Sequence, residues 1–183
     1  MRARYVIVAA TAALGLVAGC GDDESDSGVP APSASQRITV TSPAFTEGGT
    51  IPRRYTCDGE DVSPPLHLAA VPANTSELVL LAEDPDAPHG TFTHWLVWGV
   101  GPHDTDWPAG EVPRDAEQGR NGFEKTGYGG PCPPKGKPHH YVFTVYATDQ
   151  PLDLRADASA DDVRSALTGH TLAAGTLTGR YGR

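Results

Sequence analysis

The chain is short of positive charge. Lys and Arg number 14 against 23 Asp and Glu, a formal balance of −9. A surface of that sign repels phosphate backbones and anionic lipid faces, so no nucleic-acid partner is expected. A single cationic pocket stays open, because local and net charge are separate matters. Signatures of catalysis are missing too. There is no Gly-x-Ser-x-Gly, and the seven histidines include no His-Glu-x-x-His. The adjacent His139 and His140 would point to opposite faces of a strand, which suits no metal centre. Neither a metal nor a cofactor is expected, and an enzyme using Asp84, His94 and His139 as an acid–base set ranks last among the readings.

Long apolar runs and internal repeats are absent as well. The N-terminal run, residues 5–18, falls short of the roughly 20 residues that span a membrane. It follows Arg2 and Arg4 and ends in Val17-Ala18-Gly19-Cys20, the pattern of a removable export signal. A cysteine after small residues looks like the lipobox of bacterial lipoproteins, with Cys20 as the lipidated N-terminus. The protein is thus expected outside the cell, anchored to the outer face of its membrane; ordinary cleavage nearby would leave it soluble and secreted. Loss of residues 1–19 removes Arg2 and Arg4 and no acid, leaving 12 cations against 23 anions, a balance of −11.

Residues 20–36 are acidic and rich in Ser, Pro and Gly, with too little apolar surface to offset the entropy of ordering. They read as a flexible linker, and residues 37–183 as one domain, long enough for one well-filled core. Its pattern is mainly β. Residues 37–41, 77–83, 92–100 and 140–148 are β-branched and aromatic runs bounded by Pro, Gly and Asp. The last three are apolar on both alternating faces, so their sheet should be covered on both sides. Ser159 can cap a helix over 160–168, with Asp161 and Asp162 at its positive end and Gly169 as the stop. Residues 176–181 read as a closing strand. Residues 101–138 are Gly- and Pro-rich and lack periodicity, a long loop region of the sort that often carries function.

Three blocks carry candidate chemistry, each with a plainer alternative. In DPDAP (84–88), Asp84 ends a strand where its carboxylate could orient a histidine; alternatively Asp84 and Asp86 bond only their own turn. His94 alternates with Phe92, Leu96 and Trp98, and is either a satisfied core histidine or a donor to a phosphate oxygen. His139 and Tyr141 share one side of a strand beside Pro131, Pro133 and Pro134, which suits a concave apolar site with a few polar groups. Tandem histidines at a strand edge are often just solvated. The stretch 127–130 (GYGG) could present amide donors to an anion.

Taken in order, YTCDGEDVSPPL (55–66), DPDAP (84–88), His94-Trp95, KTGYGGPCPPKG (125–136) and HHYVFTVYATD (139–149) resemble the phosphatidylethanolamine-binding protein family. The likeness is to its bacterial Raf-kinase-inhibitor-like members and covers residues 37–181. It implies an antiparallel β-sandwich with short peripheral helices, one near the C-terminus. It also implies a pocket for phosphate or a phospholipid headgroup, lined by Asp84, His94, His139 and Tyr141, walled by Pro133 and Pro134, and supported by Asp86 and His140. Cys57 and Cys132 would lie near its rim, either joined in a disulfide or as two buried thiols. The family's usual His-Arg-Tyr reads His139-His140-Tyr141 here, which puts pairing of that position with Asp86 in question. The function implied is a membrane-tethered binding protein rather than an enzyme. The second reading is an inhibitor of an extracellular hydrolase that meets a protein partner through the loops at 101–138.

Overall fold

The computed structural model describes residues 32–183; the expected export signal, Cys20 and the expected linker as far as residue 31 lie outside the described residues. A six-stranded sheet runs in the order β1 (Gln36–Arg37), β9 (Thr171–Tyr181), β8 (His139–Thr148), β4 (Glu77–Asp84), β5 (Phe92–Val100), β7 (Glu117–Gln118). A three-stranded sheet, β2 (Thr39–Thr41), β3 (Leu66–Ala69) and β6 (Asp106–Trp107), packs over one of its faces. Helix α1 (Ala160–Leu167) covers the other. No helix among the described residues is long and apolar enough to cross a membrane.

The two-sided apolar pattern of the central strands has a direct cause. Leu78, Leu80 and Ala82 of β4 face the small sheet, where they meet Val40, Leu66, Leu68 and Trp107. Val79 and Leu81 face the helix and meet Val163 and Leu167. Those two helix residues lie four apart, on one face. Ser159 caps the helix in a reciprocal box with Asp162, the arrangement that offsets the unpaired amides of a first turn.

Two boundaries differ from the sequence reading. Residues 37–41 are not one strand: Gln36 and Arg37 lie parallel to β9, whereas Thr39–Thr41 pair antiparallel with β3. The chain changes sheets at Ile38, which is buried while its amide bonds Ala174. The closing strand begins at Thr171, five residues before 176. Its first half reads Thr-Leu-Ala-Ala-Gly, poor in strand formers, because β1 crosses tightly there. A Cβ on Gly175 would sit 1.9 Å from the Ile38 carbonyl oxygen, so a residue with a side chain would displace β1.

Glu77 begins β4 almost fully buried, its Oε1 accepting the Leu152 amide at 3.0 Å. Burial pushes its carboxyl up to about 6 from 4.5; the Leu152 and Gly99 amides oppose this and the Glu117 charge adds to it. The folded state therefore holds this proton more tightly than the unfolded chain does. Stability should be greatest below the unfolded value and fall as pH rises from 4.5 to 6, by about 2 kcal/mol. Glu77→Gln should abolish that fall, read from denaturant midpoints at pH 4.5 and 7; an unchanged slope would assign the dependence elsewhere.

Candidate functional site

At the end of the sheet where β4 stops and β8 starts lies a cavity of about 160 Å³. Asp84, His94, Pro133, Pro134, His139 and Tyr141 all line it. β4, β5 and β8 supply the polar members; the proline wall comes from the loop before β8.

The acidic turn does more than hold itself. Asp84, 4% exposed, accepts the Asp86 amide on Oδ1 at 2.9 Å, and Nδ1–H of His139 reaches its Oδ2 at 2.8 Å. Asp86 accepts both the backbone amide and the ring Nδ1–H of His140, at 2.8 and 2.6 Å. These bonds, the backbone one first, hold the Asp86 carboxyl below its usual range. The questioned pairing is therefore made, by an imidazole in place of a guanidinium. His140 is half-exposed, so this pair sits on the outer rim while Asp84–His139 sits inside.

His94 reaches the cavity by a different route from simple alternation. Ala82 pairs with Trp95 and Glu83 with Thr93, so His94 is the extra residue of a β-bulge. A bulge sets two residues of one strand against one of its partner and shifts the facing of the side chains. Phe92, His94 and Trp95 consequently face the cavity and the core between the sheets, whereas Leu96 and Trp98 pack against the helix. The expectation that His94 shares a face with Leu96 and Trp98 is corrected by that one inserted residue.

Two of the four amides of the GYGG stretch are already used within the protein. Its Gly129 amide bonds the His94 carbonyl and its Gly130 amide bonds Asp61, so neither is left for an anion. Its contribution is an acceptor: the Gly129 carbonyl takes Nδ1–H of His94 at 2.6 Å. A Cβ on Gly129 would lie 2.6 Å from the Phe123 ring, so glycine lets that ring close in. Burial lowers the pKa of His94, although the Gly129 carbonyl and the Asp84 charge act the other way.

Tyr141 forms the floor. It is 2% exposed, and its hydroxyl is the buried side-chain polar atom left without a hydrogen-bond partner among the described residues. Burial, then the charge of Asp84 and the pull of that nearby carboxylate on the phenol proton, drive its pKa far above the ordinary phenol value, so the hydroxyl keeps its proton. An unpaired buried donor costs about 1–3 kcal/mol. The atom lines a cavity from which a bound acceptor could satisfy it.

The sequence reading missed the aromatic wall. Phe92 and Phe123 meet edge to face at 4.7 Å, and Phe123 also packs on His94 at 5.6 Å. Phe123 is one of two large apolar side chains exposed among the described residues; in a Gly-rich loop no periodicity marks it. Behind the proline wall, Cys132 is joined to Cys57 in a disulfide. Among the described residues no three His, Cys, Asp or Glu side chains are grouped to hold a metal ion.

A central sheet covered on both faces, with a small polar-floored cavity at one end, defines a compact β-sandwich. A family model described as phosphatidylethanolamine-binding protein matches residues 41–182, and the chain belongs to that family. A UPF0098 protein of Archaeoglobus fulgidus is 39% identical, with 98% of this chain aligned; the chain spans 60% of that relative's length. A Mycobacterium tuberculosis protein named as a lipoprotein, LppC, is 36% identical over 93% of this chain and 95% of its own. Among solved structures, the phosphatidylethanolamine-binding protein homolog CT736 from Chlamydia trachomatis superposes with a TM-score of 0.77 at 36% identity, covering 81% of this chain and 99% of the other.

Proposed function

We propose that this protein is an exported, membrane-tethered binding protein whose cavity receives a phosphate-type oxyanion, such as a phospholipid headgroup or a free phosphate. The observation that carries the reading is the unpartnered Tyr141 hydroxyl, a donor at the floor of a cavity whose other polar members are Asp84, His94 and His139. The His139 ring, held through Nδ1 by Asp84, lines the same space, and its Nε2 makes no hydrogen bond among the described residues. We read the protein as a binder and not an enzyme. Neither a serine nor a threonine lines the cavity, and the cysteine that does is held in the disulfide. Support for the tether comes from Cys20 after its small residues and from the lipoprotein name of the mycobacterial relative; the mass of the mature N-terminus tests it.

The binding test is NMR of the protein titrated with phosphate and with phosphoethanolamine. Saturable shifts of the His94 and His139 ring protons are expected. Tyr141→Phe, which removes one oxygen, should weaken binding about tenfold, the scale of a lost hydrogen bond to a charged group. His94→Ala and His139→Ala should each weaken it further. A folded protein that gives no saturable response at tens of millimolar phosphate would sink the oxyanion reading.

A further inference from the structure

We propose that each phosphate-type oxyanion entering this cavity is bound together with one proton, which comes to rest on Nε2 of His94, facing the ligand. The inference rests on the oxyanion reading above and concerns how that site is regulated. Its basis is the hydrogen-bond polarity of one ring. Nδ1 of His94 lies 2.6 Å from the Gly129 carbonyl oxygen, a group that only accepts. Nδ1 therefore carries a hydrogen, and in a neutral imidazole Nε2 is then left with a lone pair. Nε2 makes no hydrogen bond among the described residues, although the ring lines the cavity.

A lone pair and an oxyanion are both acceptors, and they repel. The ring is 5% exposed, and burial favours its uncharged form in the empty site. The groups facing it are Asp84 from β4, His139 and Tyr141 from β8, and Asp61 from the segment that holds Gly130. Two of these are carboxylates, so the ring's surroundings already lean negative. An incoming anion adds a further negative charge to those of Asp84 and Asp61, which raises the affinity of the ring for a proton. That proton turns Nε2 from acceptor into charged donor, and the resulting bond to the ligand is of the stronger, charge-assisted kind. Ligand and proton thus favour each other's binding, by the same factor in each direction.

A phosphate monoester could also bring the proton in as its own P–OH, so the decisive probe is inorganic sulfate, which carries none near neutral pH. Calorimetric titration of the protein with sulfate, in buffers of different ionisation enthalpy, counts protons taken up. One proton per sulfate is expected, with affinity rising about tenfold for each pH unit lowered above the pKa of the free ring. The same titration with phosphoethanolamine separates a proton carried by the ligand from one drawn from solvent. His94→Gln, which keeps an uncharged amide donor in place, should bind sulfate more weakly and with uptake near zero. In the unsubstituted protein, the ¹⁵N resonance of Nε2 should move from its unprotonated to its protonated position as sulfate saturates. Sulfate binding without uptake, or uptake unchanged in His94→Gln, would overturn the proton linkage and leave the oxyanion reading standing. Failure of sulfate, phosphate and phosphoethanolamine to bind at any pH would overturn both.

Discussion

Replacing Cys57 and Cys132 together by serine is expected to cost about 4 kcal/mol of stability. The bond closes a loop with a sequence separation of 75 residues, and in the chain-entropy picture a loop of that size puts the cost near the upper end for single disulfides. The segments it joins are also held without it. The Cys57 amide donates to the Pro131 carbonyl at 3.2 Å, the Tyr128 hydroxyl to the Tyr55 carbonyl at 2.7 Å, and the Gly130 amide to Asp61 at 2.8 Å. The serine protein should therefore fold, but at a lower denaturant midpoint. Ligand affinity should drop as well, because Pro133 and Pro134 follow Cys132 directly and form the cavity wall. Equilibrium unfolding of the oxidised and serine proteins decides the matter. A difference below about 1 kcal/mol would mean that the backbone bonds already restrain the two segments fully.

Asp84→Ala is the second large effect, expected at about 3 kcal/mol with loss of ligand binding. Both carboxylate oxygens are engaged by buried or turn-forming donors, the Asp86 amide and Nδ1 of His139. Removing them leaves a buried ring nitrogen without an acceptor, and an unmade bond of that sort costs more than the made one contributes. Taking one negative charge from beside an anion would by itself favour binding. The loss of ring placement outweighs it, because His139 then has nothing to aim its Nε2 at the cavity. Asp84→Asn keeps one acceptor and should fall between the two. A stability loss under about 1 kcal/mol, with phosphate binding intact, would show that His139 is oriented by packing alone.

The parts of the site that could be read from the chain are those fixed by local rules. His139 and Tyr141 lie two residues apart in a β-branched strand, so a shared face follows from strand geometry. Asp84 closes an apolar run against two prolines, so a stiff turn follows as well. The facing of His94 was not legible, because a bulge is decided by pairing with β4 and leaves no mark in Phe-Thr-His-Trp-Leu. The same holds for Ile38, where the chain changes sheets within a run that reads as one strand. Strands β3, β6 and β7, of four, two and two residues, are too short to show any period. Phe123 reaches the cavity through close approach to Gly129, a contact between loop residues that no periodic pattern encodes.

The parallel pairing of β1 with β9 has a geographical consequence. Gln36 lies beside Ala173, and Ala173 lies opposite Ala147, eight residues up β8 from His139. At the usual rise of a strand, that distance is roughly 27 Å. The chain thus enters the domain at one pole of the long sheet, and the cavity opens near the other. In a protein held by its N-terminus, attachment and mouth would lie at opposite poles of the sheet, so that neither need crowd the other.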